Sequence, residues 1–119
     1  MRTYCTFLAL MLAACTAYGA DWPQWRGPFF NGSTDETNLP SKLSTIQGVA
    51  WTVELPGCSA STPIVWSDRV FLSGVDQARE KLVAMCFDRT NGKLLWQKDI
   101  AERLRRDRRS TFAAPSAVT

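Results

Sequence analysis

The 119-residue chain contains no histidine, and its four cysteines include no Cys-x-x-Cys pair. Without imidazoles or closely spaced thiolates, neither the residue types nor their spacing outline a metal site. Long apolar runs are missing too. The longest, Phe7 to Ala14 (FLALMLAA), is too short to cross a bilayer as a helix. A protein-wide basic field is also lacking. The formal net charge of +3 is carried by one stretch, residues 101–111, where Arg103, Arg105, Arg106, Arg108 and Arg109 face only Glu102 and Asp107. That distribution, in a chain that reads as exported, argues against a nucleic-acid partner.

The apolar run has the anatomy of an address label. Arg2 supplies a positive start, the run from Phe7 supplies the core, and small residues follow, so residues 1–20 read as a secretory signal. Two processing readings stay open. Ala17-Tyr18-Gly19 places small residues where ordinary cleavage needs them, with the cut at Gly19 or one residue later. Leu12-Ala13-Ala14-Cys15 resembles a bacterial lipobox, in which Cys15 would be lipidated and would begin the mature chain. Both predict a protein of the periplasm or cell envelope, touching the membrane only through lipidation of Cys15. Export leaves Cys58 and Cys86 where a disulfide is allowed, although Cys86, inside the run Leu82 to Phe87, reads as a small buried hydrophobe.

What the mature chain does contain is an internal echo. Trp51-Thr52-Val53-Glu54-Leu55 is answered by Trp96-Gln97-Lys98-Asp99-Ile100, and Thr62-Pro63-Ile64-Val65-Trp66-Ser67 by Ala114-Pro115-Ser116-Ala117-Val118-Thr119. Repeats of this length built from strands are the mark of propeller blades. Residues 21–48 read as an irregular lead-in packed by Trp22, Trp25, Phe29 and Phe30. From Ala50 the chain reads as a β-meander with strands at Ala50–Leu55, Pro63–Trp66, Arg69–Gly74, Lys81–Phe87 and Lys93–Asp99. Ser67-Asp68 and Asn91-Gly92 predict tight antiparallel turns, and the charged segment Val75 to Glu80 a longer exposed loop.

The stretch Asp88-Arg89-Thr90-Asn91-Gly92-Lys93-Leu94-Leu95-Trp96 resembles the repeat motif of the pyrroloquinoline-quinone-type propellers. The lead-in Asp21-Trp22-Pro23-Gln24-Trp25-Arg26-Gly27-Pro28 is similar to the mature start of exported bacterial members. In such a motif Asp88 accepts bonds from turn amides, Thr90 belongs to the turn, Gly92 permits it, and Trp96 stacks between blades. The resemblance implies an all-β fold, a β-propeller of which residues 49–119 supply about one four-stranded blade, the closing strand Ala50–Leu55 and the start of the next blade from Phe112. A unit that small buries too little to hold itself together, so the isolated product is expected not to fold stably.

Propellers host unrelated activities, so the resemblance leaves function open. A non-enzymatic binding or scaffolding protein of the cell envelope, with an unknown protein or small-molecule partner, is the first reading. A quinoprotein dehydrogenase is the alternative. The dehydrogenases of this family use a catalytic Asp, calcium ligands and adjacent cysteines, and none of these constellations occurs between Asp21 and Thr119. No catalytic, metal or cofactor-binding residue is therefore assigned, and pyrroloquinoline quinone enters only if further blades supply its site. The remaining polar features read blandly. Asp35-Glu36 is a solvated loop rather than an acid-base pair, and Asn31-Gly32-Ser33 is a chance glycosylation pattern. The arginines from Arg103 to Arg109 read as a soluble rim loop, with anionic lipid as the alternative, and Trp66 as packing between blades.

Overall fold

The structure is a computed structural model and describes residues 19–101 and 116–118. Four antiparallel strands follow one another in space as in sequence: β1 (Ile64–Trp66), β2 (Arg69–Asp76), β3 (Lys81–Asp88) and β4 (Leu94–Ala101). Such a meander arises because each connector is short enough to return the chain only to the neighbouring position. No helix occurs among the described residues, and none there is long and apolar enough to cross a membrane. Residues 1–18 of the leader with Cys15, the arginine cluster and Phe112 lie outside the described residues.

Strands β2 and β3 pair in unbroken register from Arg69 opposite Asp88 to Asp76 opposite Lys81. The register sets Val70 and Leu72 on one face with Phe87 and Met85 opposite them, and Val83 follows two residues along. Val83, Met85 and Phe87 form the buried cluster on that face, and Val53 and Leu55 pack onto it from outside the sheet. Burying such branched and long apolar side chains contributes roughly 1.5–3 kcal/mol each.

Three expectations need correcting. Ala50–Leu55 is extended but joins no ladder. Instead of pairing, it lies over the sheet, and exposure alternates residue by residue from Trp51 to Ala60. Further along, this segment reaches the edge of β2, where Val75 N donates to Cys58 O (3.1 Å) and Gln77 N to Pro56 O (3.3 Å). It thus prolongs the β1 side of the hairpin, and Ser61 spans the irregularity between, with Oγ donating to Ser73 O (2.9 Å). The exposed loop after β2 is shorter than expected, because pairing runs on to Asp76 and Lys81. Finally, the lead-in is packed by one aromatic rather than four: Trp22 is half-buried, whereas Trp25, Phe29 and Phe30 are exposed.

Trp22 also explains how the first strand avoids a bare edge. Its backbone makes a two-bond antiparallel bridge to Val65, with N to O distances of 2.8 and 2.9 Å. Its ring lies so close to Gly27 that a Cβ there would meet it at 2.6 Å. The buried Gln24 completes this corner, donating through Nε2 to Gly27 O and accepting from Arg26 N (2.9 Å) through Oε1.

Candidate functional site

The motif residues Asp88, Thr90 and Gly92 meet in the turn between β3 and β4. The connection between β3 and β4 is closed as Asp88 N donates to Lys93 O (2.8 Å) and Gly92 N to Asp88 O (2.9 Å). Gly92 takes a positive φ of 73°, and Asn91 does not. Side chains hold the turn. Asp88 Oδ1 accepts from Thr90 N (2.8 Å) and from the Thr90 hydroxyl, while Asn91 Oδ1 accepts from Lys93 N (2.8 Å). These local bonds satisfy amides that a tighter turn would leave to the ladder. The Thr90 hydroxyl and then its amide hold the Asp88 carboxyl below its ordinary value of 3.8.

The turn also carries a tryptophan from elsewhere. Trp51 lies flat against Gly92, where a Cβ would approach its ring to 2.5 Å, and its Nε1 donates to Arg89 O (2.8 Å). Gly92 is therefore required twice, once for its backbone conformation and once for the face it offers the indole. Sequence reasoning missed this contact, although the glycine itself was the signal.

Trp96 is separated from the other motif residues. It stands on β4 opposite Cys86, where the ladder slips between Cys86 and Phe87, and its ring meets Phe71 at 6.1 Å, tilted by 50°. Lys98 Nζ lies 5.6 Å from its centroid. Phe71, Ala84, Trp96 and Ile100 line an apolar hollow of about 260 Å³ that Ser116 and Ala117 border. Ser116 is fixed there by Thr62 N, which donates to its Oγ (2.7 Å). Trp66, expected to pack, is 49% exposed at the end of β1.

Arg89 joins the turn to the lead-in. Its guanidinium donates to Ser67 O (3.0 Å), Ala20 O (3.3 Å) and Gly19 O, and lies 3.5 Å from Asp21 Oδ1. Asp21 Oδ1 in turn accepts from Ser67 N (2.8 Å). The hollow these groups border, about 520 Å³, is lined by Gly19, Ala20, Asp21, Ser67, Asp68 and Arg89. Neither Arg89 nor Asp21 carried a role in the sequence reading, because their partnership depends on bringing positions about seventy residues apart together.

Cys58 and Cys86 are both free thiols, the first exposed and the second fully buried on β3. Among the described residues no three His, Cys, Asp or Glu side chains gather into a set that could hold a metal ion. Asp35-Glu36 lies in an exposed loop, and Asn31 Oδ1 accepts from Ser33 N (2.9 Å) in a local turn. Comparison with known proteins finds no matching family model, no matching curated protein and no matching solved structure.

Proposed function

We propose that the chain is the N-terminal part of an exported β-propeller of pyrroloquinoline-quinone-like repeats, serving as a binding or scaffolding protein of the cell envelope rather than as an enzyme. The observation that carries this reading is the seat of Trp51 on Gly92. A segment outside the sheet lies extended over one sheet face, turns alternate residues onto it and anchors its tryptophan on the Asp88–Lys93 turn. The outer strand of a neighbouring blade would present the same pattern to the blade beside it.

The edge strand supports the same reading. β4 exposes Leu94, Leu95 and Ile100, and the hollow beside Trp96 is apolar. Apolar surface of this kind on a sheet edge invites a covering neighbour. No catalytic step is assigned to the described residues, among which no three His, Cys, Asp or Glu side chains gather to hold a metal ion.

The test is a dye-linked dehydrogenase assay on the full-length protein isolated from the periplasm, with alcohols and aldoses as substrates and with added pyrroloquinoline quinone and Ca²⁺. The expected result is no dye reduction above the protein-free blank and no quinone absorbance retained after gel filtration. Quinone-dependent turnover would overturn the non-enzymatic reading, and a far-UV spectrum dominated by helix would overturn the propeller.

A further inference from the structure

We propose that the chain is processed between Gly19 and Ala20, and that the new N-terminus of Ala20 docks as an ammonium on the Glu36 carboxylate. The inference rests on the export reading given above and fixes the end point that the sequence leaves open.

The Ala20 backbone nitrogen already donates to Glu36 Oε1. Around it lies a shallow hollow of about 290 Å³ bordered by Ala20, Phe29, Thr34, Asp35 and Glu36. No lysine or arginine among the described residues forms an ion pair with Asp35 or Glu36, whereas the nearby Asp21 is matched by Arg89. The loop is also built to hold Glu36 in place, since Glu36 N donates to Thr34 Oγ1 (3.2 Å). Glu36, which has no ion pair among the described residues, thus already accepts from the one backbone nitrogen that processing would make cationic.

Hydrolysis supplies that cation. A signal peptidase adds water across the Gly19–Ala20 bond, Gly19 leaves with the new carboxylate, and Ala20 retains the amine, which takes up a proton at neutral pH. The neutral N–H donor becomes a charge-assisted donor at the same place, the stronger form of the same bond. Arg89 gives up its bond to Gly19 O and keeps Ala20 O, Ser67 O and Asp21. A cut one residue later would instead remove Ala20 with its contacts to both Glu36 and Arg89. Ala17 and Gly19 are the small residues that cleavage at this bond requires, whereas the later cut would place Tyr18 at the outer recognition position.

The test is N-terminal sequencing and intact mass of the full chain secreted by a bacterial host, followed by acylation of its α-amino group at pH 7.5. The expected N-terminus is Ala20, and E36Q is expected to speed acylation by about threefold, because loss of the carboxylate frees more of the unprotonated amine. A chain retaining Met1 in the cytoplasmic fraction would overturn the export reading as well. An exported chain starting at Asp21, or at a lipidated Cys15, would overturn only the site of processing. Equal acylation rates for wild type and E36Q would overturn the docking.

Discussion

The two ends of the β2–β4 meander are held by different physics. At one end, the Asp88–Lys93 turn is closed by backbone bonds, capped by the Asp88 and Asn91 side chains and covered by the Trp51 ring. At the other, the buried Asp76 caps the turn after β2 through Arg79 N (3.1 Å), but what surrounds it is charge rather than a ring: Arg79 pairs with Asp76 (3.2 Å) and with Asp99, and Lys81 lies 2.8 Å from Asp99. Ring packing and local hydrogen bonds are short-ranged and indifferent to salt, whereas exposed ion pairs are screened and contribute little. The first end should therefore set the stability of the sheet, and the second should tolerate change.

Gly92→Ala is the most direct way to break that difference. It forces a Cβ into the Trp51 ring at a residue with φ of 73°, and should cost about 3 kcal/mol, read as a lowered urea midpoint of the full-length protein. Trp51→Ala removes the ring and its bond together and should cost about 2 kcal/mol. Trp51→Phe keeps most of the packing and loses only the bond to Arg89 O, which should reduce the loss to about 1 kcal/mol. If Trp51→Ala leaves the midpoint unchanged, the indole is a bystander and the asymmetry between the two ends disappears.

A pH titration sharpens the same comparison. The folded-state pKa of Asp88 lies below its ordinary value of 3.8, so its contribution is complete above that value and fades as pH falls through the lower folded one. Asp88→Asn should therefore flatten the loss of stability between pH 4 and the acid limit, measured by urea denaturation at each pH. Asp99 is also lowered, first by its bond from Lys81 and then by the Arg79 charge, but at an exposed site. The smallest effect should come from Arg79→Gln. Its shift in urea midpoint should be smaller than any of the others and should vanish in about 0.5 M NaCl.

Much of the sheet was legible in the residues because the determinants are local. Alternating Val, Leu, Phe and Met between Val70 and Phe87 can bury one face only in a strand, and Ser67-Asp68 leaves no room for any connection but a hairpin. The boundaries drifted where side chains took over from the backbone. Asp88 and Asn91 bond the turn so that β4 begins at Leu94 rather than Lys93, and pairing beyond Gly74 shortened the loop after β2. The lead-in misled through its composition. Four aromatics suggested a packed cluster, but only Trp22 has a backbone partner in Val65 to bring it inward.

The candidate site was legible only in its short-range part. Asp88, Thr90 and Gly92 lie within one turn, so their spacing alone brings them together. Arg89 with Ala20 and Asp21, and Trp51 with Gly92, are pairs separated by dozens of residues, and no local pattern records which long-range partner a side chain will meet.

By itself, the sequence determined the strands, their antiparallel order and the turn chemistry, because each depends on neighbours a few positions away. It also presented Trp51 and Trp96 as echoes of one pattern, the first in a closing strand and the second in a blade. The tertiary structure alone gave each ring its neighbour. Trp51 lies on a glycine across the turn, and Trp96 on Phe71 within the sheet, because only the packed arrangement decides what each ring has to rest against.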